Sequence, residues 1–353
     1  MDRRTFQMGL LASASPLAHA RRKPPPAAID AVKRIQDLRI TTGPLTDGYR
    51  IAPGGRLNWY FSNLGLLAIV QFLNADALDL HVRRYLDLYL SRLEDNATIQ
   101  DVSFNDADLQ TYTLVPSDSD NSYASTLLSL ATRYLRASGN WAWWDARQNT
   151  LKAIAQANVL SQIKSNGLCR VFQPPRTSSV SEYGFTMNNC EDYRGLRDFA
   201  ALLAQRGQTA EAQTYLDKAH QIGQAIQTQL WDSTANGYRV SDQDRHPDTR
   251  SFYPGSCCQV FAQAFGVIES SSHDDVAYRF LNTWSPRWPN EAYDPFPWCI
   301  LGYVAAKRGD AGRAQTQLTT TEARYQSDPG LVTINELGYY QRTRNLLQGL
   351  PDI

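Results

Sequence analysis

Along most of the chain apolar residues recur at i, i+3, i+4 and i+7, in windows separated by clusters of Gly, Pro, Asn and Ser. That spacing predicts helices over roughly 27–40, 59–73, 77–93, 121–137, 141–165 and 189–205, then 209–230, 256–265, 274–283, 298–308, 311–325 and 334–347. No succession of strand patterns interrupts them, so an all-α chain is expected.

The windows alternate in character. Those opening at Trp59, Asn121, Asn189, Ser256, Trp298 and Ile334 are rich in Gly, Ala, Ser and aromatic residues, as helices packed on several sides should be. Their partners, such as 80–93 and 209–230, carry Arg, Asp, Lys and Gln on one face, as outer helices would. Tight turns at Gly139-Asn140, Gly207-Gln208 and Gly309-Asp310 join them into helical hairpins, and twelve helices in alternation predict a closed toroid. A tandem-repeat solenoid is the competing architecture, and 309–314 resembles a repeat corner. Repeat arrays keep a fixed period, however, and here the spacing between helix pairs is uneven. The connections entering the inner windows are also long, as from 95 to 119 and from 166 to 188, which suits a barrel with a loop-built pocket.

Composition narrows the partners. The 353 residues hold 35 Lys and Arg against 35 Asp and Glu, with no long basic run in the body, which argues against a nucleic-acid surface. The 18 Tyr and 8 Trp supply rings that pack cores but also stack on the apolar faces of sugars, mildly favouring a carbohydrate ligand. Residues 1–20 read as an export signal: Arg3-Arg4-Thr5-Phe6, a weakly apolar stretch, then Ala18-His19-Ala20 as an A-x-A cleavage site. Paired arginines suggest the twin-arginine route, and the modest hydrophobicity fits it better than a membrane anchor of about 20 strongly apolar residues. A periplasmic or secreted protein is expected, with a basic Pro-rich leader at 21–26 ahead of a single domain over 27–353. Five cysteines leave one unpaired; Cys169 with Cys190, or Cys258 with Cys299, could form a bridge, and buried free thiols are at least as well supported. No CxxC or His-rich spacing suggests zinc, and no metal or cofactor is expected.

The segment Asp118-Ser119-Asp120-Asn121-Ser122-Tyr123 carries the most chemistry. It sets two carboxylates ahead of a helix in which Tyr123, Leu127, Leu128 and Leu130 recur at core-facing spacing. One carboxylate is enough to cap that helix. The other is available to a ligand, although a second acid favoured by the helix dipole is an equal reading. Glu191 and Asp192 form another acidic pair in the first turn of the next inner window, with Arg194 and Arg197 as ready ion-pair partners. Glu182, in the loop before them, is a further candidate, and Asp294 and Glu336 rank lower as first-turn charges.

The alternation, together with PSDSDNSYASTLLSLATRYLRASGNW, NNCEDYRGLRDFAALLAQRG, LWDSTANGYRVS and PFPWCILGYVAAKRGD, resembles the six-hairpin glycosidase superfamily, the (α/α)6-barrel carbohydrate-active enzymes. The likeness covers roughly 27–349 and rests on helix rhythm and motif texture. It implies an all-α (α/α)6 toroid of six helical hairpins, with a groove where the inner helices begin and acidic residues as acid and base. It puts Asp118 and Asp120 at the start of the second inner helix, Glu191 and Asp192 just inside the third, and 58–63 at the opening of the first. Residues 251–258 open the fourth, with hydroxyls and thiols where some relatives would offer a carboxylate.

The resemblance further implies an exported glycoside hydrolase acting on a polysaccharide or oligosaccharide, inverting as many such barrels do. Its catalytic candidates are Asp118, Asp120, Glu191, Asp192 and Glu182. The expected sugar-binding walls are Trp59, Tyr60, Tyr123, Tyr183, Tyr253, Trp288 and Trp298, while Arg56, Arg170 and Arg250 could meet a carboxylated sugar. A polysaccharide lyase using Tyr193 and Arg194 is the nearest rival, and a non-catalytic scaffold binding a glycan or protein is the other. His81, His220, His246 and His273 fall away from the inner-helix openings, which weakens any His-dependent chemistry.

Overall fold

The computed structural model describes residues 26–352; the expected export signal, and the leader as far as residue 25, lie outside the described residues. In chain order the helices are α1 (Ala31–Asp37), α2 (Trp59–Ile69), α3 (Ala75–Leu78), α4 (Arg84–Ser91), α5 (Asn121–Ser138), α6 (Trp141–Asn158) and α7 (Thr186–Gln205). They continue with α8 (Thr209–Ala225), α9 (Phe261–Phe265), α10 (Asp274–Trp284), α11 (Cys299–Lys307), α12 (Ala311–Ser327) and α13 (Ile334–Leu347).

Helices α2, α5, α7, α9, α11 and α13 pack in that order, and α13 returns to α2, closing an inner ring. Outside it, α3 and α4 together form one rod, and α6, α8, α10 and α12 come next in turn. The last outer place, against α13, is taken by α1 from the opposite end of the chain. This is the predicted toroid of six hairpins.

The corners are dictated by their residues. Gly139 closes α5 at φ 64°, a left-handed turn that glycine adopts without a Cβ clash, and Asn140 then caps α6 by accepting from Trp143 N at 3.1 Å. Gly309 and Asp310 repeat the device between α11 and α12, with Asp310 accepting from Arg313 N at 3.2 Å. Small residues on the inner helices serve close approach. A Cβ on Gly195 of α7 would lie 2.6 Å from Ser125 O of α5, so only glycine allows these two helices their contact.

Departures from the predicted elements have local causes. The outer rod 75–91 is widened by a π-type turn at Asp79–Arg83, and residues 252–260 enter α9 by irregular turns in place of a full inner helix. The stretch 95–119, expected as loop, holds a hairpin of β1 (Asp101–Phe104) and β2 (Tyr112–Val115), with Asp101 opposite Val115; β3 (Trp231–Asp232) and β4 (Gly237–Tyr238) form a smaller one. Strands of two to four residues are too short for an alternating pattern to register. Among the described residues no helix is long and apolar enough to cross a membrane. All five cysteines are buried and none forms a disulfide.

Candidate active site

The inner helices open toward one end, and a ladder of polar groups crosses it. Asn58 caps α2 by accepting from Phe61 N at 2.8 Å, while its amide donates to Asp101 Oδ2 at 2.6 Å and to the Tyr123 hydroxyl at 2.8 Å. Tyr123, on α5, donates to the same Asp101 oxygen at 2.9 Å, and Trp59 N donates to Oδ1 at 3.2 Å. Burial raises the Asp101 carboxyl to about 6, and these donors, with Arg56 at 3.9 Å, hold it from rising further.

Asp118 stands in front of this ladder and is exposed. Its pKa is nonetheless raised, first by the loss of water around it, against the pull of Tyr123, Arg56 and Arg176. Asp118 is thus reached by solvent yet crowded by protein. Its charge is felt by Tyr60, Tyr253 and Glu191, which places these groups in its neighbourhood. Tyr253 is half exposed and stacks on Trp298 with centroids 4.7 Å apart and planes 26° apart. Trp298 holds φ 48°, a left-handed conformation that costs a bulky residue about 1–3 kcal/mol and that the surrounding packing must enforce.

Glu191 lies deeper, 3% exposed on α7, and accepts from the Tyr60 hydroxyl at 2.5 Å. Burial pushes its carboxyl up to about 8, opposed by the nearby Ser122 hydroxyl and the hydrogen bond from Tyr60 and reinforced by Asp192 and Asp118. The Tyr60 ring stacks on Tyr123 at 5.8 Å, so the Glu191 and Asp101 arms meet at two phenols. Across the ring, buried Glu336 accepts from Cys299 N and from Asn335 Nδ2 at 3.0 Å, and burial raises it to about 7.

Other residues singled out by sequence have different occupations. Asp120 does not cap α5: its carboxylate accepts from Gln173 N at 2.9 Å and pairs with Arg176 at 3.2 Å, pinning the 170–176 loop. Asp192 is buried and accepts from Asn121 Nδ2 and Ser125 Oγ, both at 2.7 Å, tying α7 to α5. Glu182 is exposed and pairs with Arg170 at 2.8 Å. The expected ion pairs from Arg194 and Arg197 to the acidic pair are absent, because Arg194 takes Asp198 one turn on at 2.8 Å and Arg197 donates to the Tyr193 hydroxyl at 3.2 Å.

Three of the expected sugar-binding walls are core instead. Trp59 is fully buried against Tyr85 and Tyr89, with its indole donating to Gln100 O at 2.7 Å. Trp288 is buried and donates to Asn282 Oδ1 at 3.0 Å, and the buried Tyr123 hydroxyl is taken by Asp101. Trp59 turns to the tyrosines of outer α4, Tyr123 to the Asn58 cap of α2 and Trp288 to α10, which closeness in sequence to a helix start does not reveal. Tyr60 and Trp298 are partly exposed and Tyr253 is exposed, and Tyr183 is partly exposed against Phe185 in the loop before α7. Sequence reasoning missed Asp101. Its signal was an acid set between the apolar residues Ile99 and Val102.

No family model matches the chain, and a search of curated proteins finds no match. Solved structures do match. A rhamnosidase from Klebsiella oxytoca with rhamnose bound aligns over 93% of this chain with a TM-score of 0.63 and 15% identity, and the chain spans 66% of that protein's length. A wild-type glycosidase aligns over 91% of this chain and 96% of its own, with a TM-score of 0.57 and 12% identity. A GH76 alpha-mannanase from Bacteroides thetaiotaomicron aligns over 90% and 95%, with a TM-score of 0.53 and 12% identity. At such identities the likeness is one of architecture. The chain has the six-hairpin (α/α)6 toroid fold shared by these glycosidases.

Proposed function

We propose that this chain is a glycoside hydrolase whose reacting carboxyls are Asp118 and Glu191. Cleaving a glycosidic bond takes two carboxyl groups in unlike surroundings, one kept protonated and one ionised. The observation that carries the reading is this contrast: Asp118 is open to solvent at the mouth, while Glu191 is buried behind Tyr60 with a carboxyl raised to about 8. At neutral pH Glu191 holds a proton to give to the leaving oxygen. Asp118, ionised, takes a proton from a water as that water attacks the anomeric carbon, and both groups reset by exchange with solvent.

The stack of Tyr253 on Trp298 offers a sugar face its wall, and the glycosidases of the same fold support a carbohydrate substrate. Inversion results if the two carboxyls leave room for water, at roughly 6.5–9.5 Å. Export by the twin-arginine route is part of the same reading and is supported by the N-terminal pattern alone. The lyase alternative loses support, because a tyrosine base needs an accessible phenolate whereas Tyr60, Tyr123 and Tyr253 are all shifted upward by burial. Tyr193 and Arg194, on which that alternative rested, are occupied as well: Tyr193 accepts from Ile268 N and Arg194 pairs with Asp198.

The test is to assay Asp118→Asn and Glu191→Gln separately on a panel of neutral and acidic polysaccharides, monitoring the anomeric proton of the product by NMR. Loss of cleavage in both folded variants supports the pair. Near-full activity in either removes that residue from the chemistry.

A further inference from the structure

A cleft of about 360 Å³ lies between α1, the end of α12, the start of α13 and the turn that leads into α2. Its floor is apolar, with Leu38, Ile40 and Val332 buried, and its charged lining is Arg34, Arg39 and Arg50 together with one carboxylate, Asp37. Arg39 is committed to Asp47, and Arg34 lies 3.6 Å from Asp37. Arg50 makes no ion pair among the described residues; its guanidinium rests 5.6 Å over the Phe104 ring.

The turn between cleft and mouth is braced by Ile51 N donating to Arg56 O at 2.8 Å, and α13 is anchored to it through Ile334 N donating to Ile51 O at 2.7 Å. One short turn therefore presents Arg50 to the cleft and Arg56, with 43% of its side chain exposed, to the mouth beside Asp101 and Asp118. A ligand that crosses this turn meets a guanidinium on each side and an apolar floor beyond it. Sugar rings have apolar faces, and guanidinium groups bind carboxylate and sulfate through paired N–H donors.

We propose that the cleft is an accessory subsite for an acidic glycan, so that the polysaccharide reaching the mouth carries carboxylate or sulfate groups read by Arg50 and Arg56. The inference rests on the hydrolase reading for the reaction, though not for binding. The full chain carrying Asp118→Asn is titrated calorimetrically with oligogalacturonides, with a sulfated dextran oligosaccharide and with neutral cello-oligosaccharides, and then again with Arg50→Gln or Arg50→Lys added. Binding to one of the acidic series is expected, with Arg50→Gln weakening it about tenfold and Arg50→Lys restoring part of the loss. The two acidic arms separate carboxylate from sulfate as the group read. Equal binding of neutral glycans, no binding of either acidic series, or no effect of Arg50→Gln in a variant with an unchanged melting temperature overturns the inference. Acidic glycans bound through Arg50 but not cleaved by the unmodified protein would support the cleft while removing the hydrolase reading. Neutral glycans cleaved with the acidic series unbound would do the reverse.

Discussion

Tyr60 and Glu191, 131 residues apart in the chain, meet through a 2.5 Å hydrogen bond from the phenol to the carboxyl. Burial drives the Glu191 pKa up while this bond, favouring the ionised form, draws it back, so Tyr60 trims the value at which Glu191 gives up its proton. With Glu191 as the acid, kcat/KM should fall as pH rises past about 8. In Tyr60→Phe the descending limb should move to higher pH, a shift read directly from paired pH–rate profiles.

Replacing either reacting carboxyl should separate chemistry from folding. Asp118→Asn and Glu191→Gln are expected to lower kcat by roughly 10²–10⁴. Neither should lower the melting temperature, because both carboxyls are held where their charged forms are disfavoured. Calorimetry beside kinetics checks this, and a fall of many degrees in either variant would assign that residue to structure.

Buried acids also set how stability varies with pH. The folded pKa values of Asp101, Asp192, Glu191 and Glu336 are raised to about 6, 7, 8 and 7. Across the interval from the ordinary carboxylate range to about 8 the folded state holds more protons than the unfolded one, so stability is full below that interval and drains as pH rises through it. Denaturant unfolding from pH 5 to 8 should show the decline, and Glu191→Gln should flatten its upper part.

Asp120 should behave unlike its neighbour two residues earlier. Asp120→Asn weakens the grip on Gln173 N and Arg176 and is expected to cost about 1–3 kcal/mol of stability. Well below its melting temperature the variant should keep kcat within about tenfold of the unmodified protein, since the carboxylate acts only by holding a loop. A loss as deep as that of Asp118→Asn would place Asp120 in the chemistry.

Tyr253→Ala removes half of the exposed aromatic stack. KM is expected to rise up to about tenfold with kcat less affected, the size of an aromatic stacking contribution. Trp59→Ala, by contrast, should cost about 3–5 kcal/mol of stability, as for any fully buried Trp.

The toroid was legible because its signals are local and repeated: Gly139-Asn140 and Gly309-Asp310 each end one helix and cap the next within two residues. Asp118 could be singled out as a candidate for the same reason, standing next to a helix start. The duties of its neighbours were not legible, because they are fixed by partners far away in the chain. Asp120 is claimed by Gln173, Asp192 by Asn121 and Ser125, and Trp59 by two outer tyrosines. Asp101 escaped notice because its strand is only four residues long and its donors come from 58, 59 and 123.

The five buried thiols have a bearing on how the protein is made. With no covalent cross-link among them, the ring of helices is held by noncovalent contacts, and its assembly needs no oxidant to form disulfides. A protein built this way reaches its final form in reducing surroundings as readily as in oxidising ones. Reductant should accordingly leave its melting temperature unchanged.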